Sequence, residues 1–386
     1  MENRIVYADN AATTAVHPSV RDAMLPYLGG EFGNPSSLHQ IGRKAKAVVD
    51  EARKVIADLL HCAPGELYFT ASGTEADNWA IRTVARAKAK QGKHIITSKF
   101  EHHAVLHTLR TLEKEGYEVT YLKPTSEGII RPCDVEAAIR PDTILVAIMM
   151  ANNEIGTVQP IKEIAEVAHA HGVLCFTDAV QAVGHIPVAL DELGVDMLSF
   201  SGHKFHAPKG IGALYVKKGT PLFPFVDGGG QESGKRGGTE NVPYIVGLAK
   251  ALTLAVERLS DNGRIAAMRD RLTDGLLAIP RARLNGSRTE RLPGTVNVSF
   301  PCIEGESLLF LLDAAGICAS TGSACSSKSL EPSHVLLSID VPIEEAHGSL
   351  RLSIGHDTTD ADIDYILEKL PPIVARLRSM SPLWTE

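Results

Sequence analysis

The sequence predicts an α/β protein with a mainly parallel seven-stranded sheet, plus a smaller α+β domain. Three observations carry that prediction. Short apolar segments alternate with helix-period segments between residues 65 and 216, the pattern of strands joined by crossover helices. Segments such as Ile144 to Met150 are apolar without alternation, as strands are when both faces are covered. The length, 386 residues, exceeds what one ordinary core holds, so a second, smaller unit is expected.

Taken in order, the expected strands are Leu67 to Thr70, His94 to Ser98, Glu118 to Leu122, Ile144 to Met150, Val173 to Thr177, Met197 to Ser201 and Ala213 to Val216. Helices are expected over Glu75 to Lys90, Ala104 to Glu115, Pro132 to Ile139 and Ile161 to His171. From Gly228 to Thr239 the chain is loop-like, and a long helical stretch follows over Val242 to Leu259 and Arg264 to Ala278. Strands at Thr295 to Ser299 and Leu350 to Ile354 then combine with helices at Gly305 to Ala315 and Thr359 to Arg378. Residues 16–260 are therefore assigned to the large domain, and 1–15 with 261–386 to the small one.

Composition excludes several classes. Net charge is −7 with both signs interspersed, which gives no basic surface for nucleic acid. The longest apolar run, Ile144 to Ala151, is too short to span a membrane, and Met1 to Asn10 lacks the regions of a signal peptide, so a cytoplasmic location is expected. The six cysteines show neither Cys-x-x-Cys nor zinc-type spacing, so no disulfide framework or metal is expected. Cys175 and Cys318 read as small core residues. Cys325 differs, because Ser320-Thr321-Gly322-Ser323-Ala324-Cys325-Ser326-Ser327-Lys328-Ser329 is a small-residue loop in which a thiol gains little by packing.

Two strand ends carry chemistry. The run Met197-Leu198-Ser199-Phe200-Ser201-Gly202-His203-Lys204 delivers Lys204 into a small polar loop, and Val173 to Thr177 delivers Asp178 in the same way. An amine and a carboxylate at neighbouring strand ends are what pyridoxal phosphate needs, one to form the Schiff base and one to keep the ring nitrogen protonated. Ser72-Gly73-Thr74-Glu75 follows a strand and opens a helix, and its free N–H groups make an anion site, although Ser and Thr there also serve simply as caps. Ser201 and His203 could complete a phosphate cup. His102, at the end of a strand, could lie flat over a ring. A metal reading of His102, His103 and His107 finds no supporting spacing.

The strings Phe32-Gly33-Asn34-Pro35-Ser36-Ser37, Ser72-Gly73-Thr74-Glu75, Glu101-His102-His103, Asn152-Asn153-Glu154-Ile155-Gly156, Asp178-Ala179-Val180-Gln181, Ser201-Gly202-His203-Lys204, Arg236-Gly237-Gly238-Thr239 and Gly322-Ser323-Ala324-Cys325 occur in that order along nearly the whole chain. In this the sequence resembles the cysteine desulfurases of NifS/IscS type, fold-type I pyridoxal-phosphate enzymes of the class V aminotransferase group. The resemblance implies a homodimer with its active site at the subunit interface. It implies that Lys204 is the Schiff-base lysine, that Asp178 pairs with the pyridine nitrogen, that Gln181 bonds the ring hydroxyl and that His102 stacks on the ring. Gly73, Thr74, Ser201 and His203 would hold the phosphate, with Thr239 supplied by the other subunit. Asn153 and Arg351 would bind the carboxylate of L-cysteine, and Cys325 would take its sulfur as a persulfide, releasing alanine.

The segment from Ser323 to His334 is similar to the longer catalytic loop of the subgroup that serves iron–sulfur scaffold proteins. Ser72-Gly73-Thr74 stands where many relatives have Gly-Ala-Thr. The chain ends at Glu386 without the extra C-terminal segment by which housekeeping members grip their scaffold, so nitrogenase-dedicated and general roles both stay open. Within the pyridoxal enzymes a selenocysteine lyase or a class V aminotransferase is the alternative; Cys325 favours desulfuration, since amino-group exchange needs no thiol. Gly229 to Lys235 matches G-x-x-x-x-G-K, but Arg236 replaces the magnesium-binding Ser/Thr of a P-loop.

Overall fold

A computed structural model describes residues 4–321 and 332–384. The chain opens with β1 (Val6–Tyr7), α1 (Pro18–Leu28) and α2 (Gln40–Leu60). The alternating region follows as β2 (Leu67–Thr70), α3 (Gly73–Lys88), β3 (His94–Ser98), α4 (His103–Lys114), β4 (Glu118–Leu122), α5 (Pro132–Ala138), β5 (Thr143–Ala147), α6 (Ile161–Ala170), β6 (Leu174–Asp178), α7 (Leu190–Leu193), β7 (Met197–Ser201) and β8 (Gly212–Val216). After α8 (Gln231–Gly234) come α9 (Val242–Arg258) and α10 (Asn262–Leu277). The remainder is β9 (Arg283–Leu284), β10 (Thr295–Ser299), α11 (Gly305–Ala314), β11 (Ile317–Cys318), α12 (His334–Ser338), α13 (Ile343–Ala346), β12 (Ser349–Ser353) and α14 (Asp360–Met380).

The large sheet has seven strands in the order β2-β8-β7-β6-β5-β3-β4. Only β8 runs against its neighbours, so β2, β3, β5, β6 and β7 present their carboxyl ends along one edge. In an open sheet of this kind, that edge is where ligands bind. Separate apolar cores cover the two faces. Val20, Val49, Ile56, Leu198, Phe200, Leu248 and Leu252 belong to one, and Trp79, Ile81, Ile95, Leu145, Phe176 and Leu214 to the other. This double cover explains why β3, β5, β7 and β8 are buried at every position.

A third core, including Val6, Leu272, Val296, Leu308, Leu350 and Ile366, packs α10, α11 and α14 on the small sheet β12-β10-β9. β1 pairs with β11 and so joins the start of the chain to this core. Every expected strand forms, within three residues at each end. β5 closes earlier than Met150 because only its β6 side continues: Ile148 and Met150 donate to the Phe176 and Asp178 carbonyls, while Met149 N–H turns to the Glu101 carboxylate instead, at 3.1 Å. The 21 residues of α2 lie outside the expected alternation. Its buried stripe is Ala45, Val49, Ala52, Ile56 and Leu60, at helical spacing but with alanine at two of the five positions, within a charged segment.

Behind the sheet edge, Arg53 of α2 grips Glu232 with both terminal nitrogens, at 2.9 and 2.7 Å, and Phe69 N–H donates to the same carboxylate at 3.0 Å. Glu232 holds a left-handed backbone, φ 47°, a conformation that non-glycine residues keep only when their surroundings fix it. Among the described residues, no helix is long and apolar enough to cross a membrane.

Candidate active site

The carboxyl ends of β2, β6 and β7, with the turns after β3 and β5, enclose a cavity of about 270 Å³. Gly73, Thr74, His102, Asn153, Asp178, Gln181, Ser201, His203, Lys204 and Arg351 all line it. Lys204 ends a single helical turn after β7. That turn sits tight against α9, since a Cβ on Gly202 would come within 2.8 Å of both Ala207 and Leu248. The Lys204 ammonium donates to the carbonyls of Ala11 and Ala12, at 2.7 and 3.0 Å, and the Gln181 amide donates to Ala11 as well, at 3.0 Å. Asp178 is the last residue of β6, 4% exposed, and one of its oxygens accepts Val180 N–H at 2.9 Å. His102 caps α4, its Nδ1 accepting Ala104 N–H at 3.1 Å.

Burial dominates the electrostatics. It pushes the Asp178 carboxyl up to about 6, against the opposing pull of Val180 N–H and the Lys204 charge. Burial first and Lys204 second push His102 down to about 4, with His334 and His107 adding to the effect, so its ring is a neutral, flat acceptor near pH 7. His203 is lowered to about 4 by burial, then by Lys204 and Lys209. A carboxylate that desolvation disfavours, facing an open cavity, is a group waiting for a cationic partner.

The small sheet supplies the opposite wall. Arg351 of β12 is 2% exposed; it donates to the Asn153 carbonyl and to Asp9, each at 2.9 Å, and its Nε is buried without a partner. Cys325 lies outside the described residues, but the chain on either side of that segment is anchored beside the cavity. Ser320 pairs with Arg351 through the main chain, and the Ser333 hydroxyl donates to buried Glu154 at 2.5 Å.

Several lining residues escaped the sequence reading. Asp77, 1% exposed, accepts a hydrogen bond from Ser199; burial and the Asp178 charge raise its carboxyl well above the usual range. Asp77, His102 and Asp178 bring ligand-type atoms within 4.8 Å of one another. The helical spacing from Gly73 to Asp77 puts both on one face of α3 and could have signalled this. Ala11 and Ala12 act through their carbonyls, which no side-chain pattern reveals. Thr239 is exposed and lines a different cleft, with Arg236 and Glu240, so within one chain it adds nothing to the cavity. The P-loop match dissolves, because the Lys235 ammonium donates to the Leu222 carbonyl at 2.8 Å. His102, His103 and His107 form a row of neighbouring rings, His103 and His107 stacking at 5.0 Å.

The residues present fit pyridoxal phosphate. The first amides of α3 lack intrahelical acceptors, and a Cβ on Gly73 would fall 2.5 Å from Val180 Cγ2 and 3.4 Å from Ser201 Cβ, so that turn stays bare toward the cavity. The dipole and amides there suit a phosphate. Asp178 suits a protonated ring nitrogen, and Lys204 offers the amine.

The family model for aminotransferase class-V matches residues 6–366. The chain is 56% identical to the cysteine desulfurase IscS of Methanosarcina thermophila over 383 residues, covering 99% of this chain and 95% of that relative. It is 52% identical to the cysteine desulfurase IscS of Clostridium botulinum strain Hall over 388 residues, covering 100% of this chain and 98% of the relative. Among solved structures, a NifS-like protein superposes with a TM-score of 0.91 at 39% identity over 97% of this chain and 100% of that one. SspA in complex with cysteine gives 0.80 at 39% identity, over 90% and 98%. A dependence on pyridoxal phosphate goes with this membership, and the chain belongs to the class-V aminotransferase family, among its cysteine desulfurases.

Proposed function

We infer that the protein removes sulfur from L-cysteine, giving L-alanine and a persulfide on Cys325. The observation that carries this reading is the convergence of Lys204, Asp178 and Arg351 on one cavity, with the chain on both sides of the Cys325 segment anchored at its rim. Bound there, pyridoxal phosphate supplies an electron sink for a carbanion at the substrate Cα. Lys204 would hold it covalently, and its amine would take the Cα proton of the substrate and return it. Asp178 would keep the ring nitrogen protonated, Gln181 would bond the ring hydroxyl, and the neutral His102 would offer its ring to that of the cofactor. Gly73, Thr74, Ser201 and His203 hold the phosphate. Arg351, with Asn153, holds the substrate carboxylate by a charge-assisted pair.

The Cys325 thiolate then attacks the substrate sulfur: a sulfur–sulfur bond forms, the carbon–sulfur bond breaks, and the carbon gains the proton that completes alanine. The exposure of Thr239 outside the cavity fits a homodimer in which each copy completes the other's phosphate site. The acceptor we propose is an iron–sulfur scaffold protein, and the setting cytoplasmic. The large unit would comprise residues 16–260, the small one 1–15 and 261–386, in keeping with the separate third core.

The test is a single turnover with cysteine and no reductant, followed by mass spectrometry. We expect an added sulfur on Cys325 and an equal amount of alanine. A Cys325→Ser variant should perturb the cofactor absorbance on adding cysteine, yet form no persulfide. Full activity in that variant, or the sulfur on another cysteine, overturns the assignment.

A further inference from the structure

Behind Lys204, away from the active-site cavity, lies a second chamber where the sheet's edge meets the small sheet. It is bounded by the strip from Thr14 to His17, the turns after β6 and β7, the C-terminal end of α9 and the turn after β12. Four histidines, His17, His185, His206 and His356, line it together with Arg258. Among the described residues Arg258 has no carboxylate within ion-pair distance; its Nη2 lies 2.9 Å from His17 Nε2. The other His17 nitrogen already faces Ser19 N–H at 3.2 Å. A neutral imidazole has one lone pair, so one of these two donors meets a second N–H. His185 adds a buried Nδ1 with no hydrogen-bond partner, which becomes a donor when the ring is protonated. Asp261, 3.6 Å from His356, is already engaged by Arg264 at 2.8 Å. No carboxylate stands among the residues that line the space, and the contested His17 lone pair leaves one N–H there in need of an acceptor.

We propose that this chamber binds a small monovalent inorganic anion of halide size, held by Arg258 and by the His17 and His185 rings in their protonated form, across the seam between the two sheets. The free volume, about 40 Å³, exceeds the roughly 10–15 Å³ a single water needs and suits a halide, but not a bulky organic anion. A metal is excluded by charge and geometry. Arg258 repels a cation, and the four rings do not bring three ligand nitrogens within 4.8 Å of one another.

Binding is linked to protons. In the free chamber burial lowers all three histidines that shift. His185 goes down to about 4, helped by His206, His356 and Lys204 and opposed only by the Val183 carbonyl. His17 is lowered further by Arg258, His206 and Lys250 against Asp357, and His356 by Arg258 and His206 against Asp261. An anion favours the charged ring, so a proton enters with it, and affinity falls by up to about tenfold per pH unit above the free pKa.

The experiment uses the full-length holoenzyme and chloride as probe, reading excess ³⁵Cl NMR line width displaced by bromide, with gluconate holding ionic strength constant. We expect saturable broadening that weakens markedly from about pH 5.5 to about pH 7.5, a bromide anomalous peak beside Arg258 in crystals, and loss of both in Arg258→Gln. His185→Phe, which keeps a ring of similar size but removes the donor, is the second variant should the first fail to fold, and is also expected to weaken binding. No saturable broadening in the wild type, a response unchanged in the folded variants, or no bromide peak in the chamber overturns the proposal.

Discussion

On the sheet side of the active-site cavity, Asp178, His102, Gln181 and Lys204 are each held by main-chain groups, the amides of Val180 and Ala104 and the carbonyls of Ala11 and Ala12. On the small-sheet side, Arg351 has one main-chain partner, the Asn153 carbonyl, and one side-chain partner, the Asp9 carboxylate, each at 2.9 Å. Main-chain partners cannot withdraw without moving the fold, so the cofactor side is set in advance of any ligand. A side-chain partner can turn away: Asp9 keeps 20% of its side chain in solvent, against 3% for Arg351. If Arg351 binds the substrate carboxylate as proposed, that carboxylate would take over the guanidinium from Asp9, and no buried charge would be left unpaired in either state. On the proposed role of Arg351, one wall is preorganised and the other would exchange partners.

The largest break in this comparison is Lys204→Ala. It should lower kcat by at least about a thousandfold, in the range lost with a proton-transferring group, and abolish the yellow absorbance of the covalently held cofactor. Turnover near wild type would show that another amine serves. Arg351→Lys probes the exchanging wall, where a point charge replaces a bidentate fork. KM for cysteine should rise roughly tenfold, the loss expected for one charged hydrogen bond, with kcat changed far less; a fall in kcat with KM constant would place Arg351 outside carboxylate binding. Asp9→Asn sharpens the same point in the opposite direction. Removing the resident competitor should lower KM by about two- to threefold, as a partly exposed ion pair is worth at most about 1 kcal/mol, and a raised KM would count against exchange.

The smallest effect is on stability against pH. Asp178 and Glu101, raised to about 6 and about 8 by burial, bind more protons folded than unfolded, so they stabilise the cofactor-free protein fully below about pH 4. That contribution is lost as pH rises through about 6 for Asp178 and about 8 for Glu101. A pyridinium opposite Asp178 favours its charged form and removes its share of the loss. Melting temperatures of cofactor-free and cofactor-bound protein should therefore diverge between about pH 4 and about pH 6 and then run parallel. Curves parallel throughout would mean that Asp178 does not face the ring nitrogen.

Much of this was legible in the sequence for physical reasons. Strands covered on both faces announce themselves as unbroken apolar runs, and a lysine or aspartate ending such a run, as Lys204 and Asp178 do, stands out against it. What stayed hidden depends on the main chain or on tertiary meeting. The carbonyls of Ala11 and Ala12 carry no residue-type signature. Asp77 looks like any polar residue in the second turn of a helix until the fold places it against Asp178. Glu101 gives no hint that it will end a strand pairing by capturing Met149 N–H. Helix α2 disappeared because alanine marks a buried stripe weakly among lysines and arginines.

The clasp of Arg53 on Glu232 bears on how two copies would meet. The loop that carries Thr239 is tied down within its own chain, at Glu232 by Arg53 and Phe69 and at Arg236 by Glu75. Its conformational entropy is thus surrendered during folding rather than at encounter. Two such loops would meet already ordered, so their ordering should add no separate slow phase to pairing.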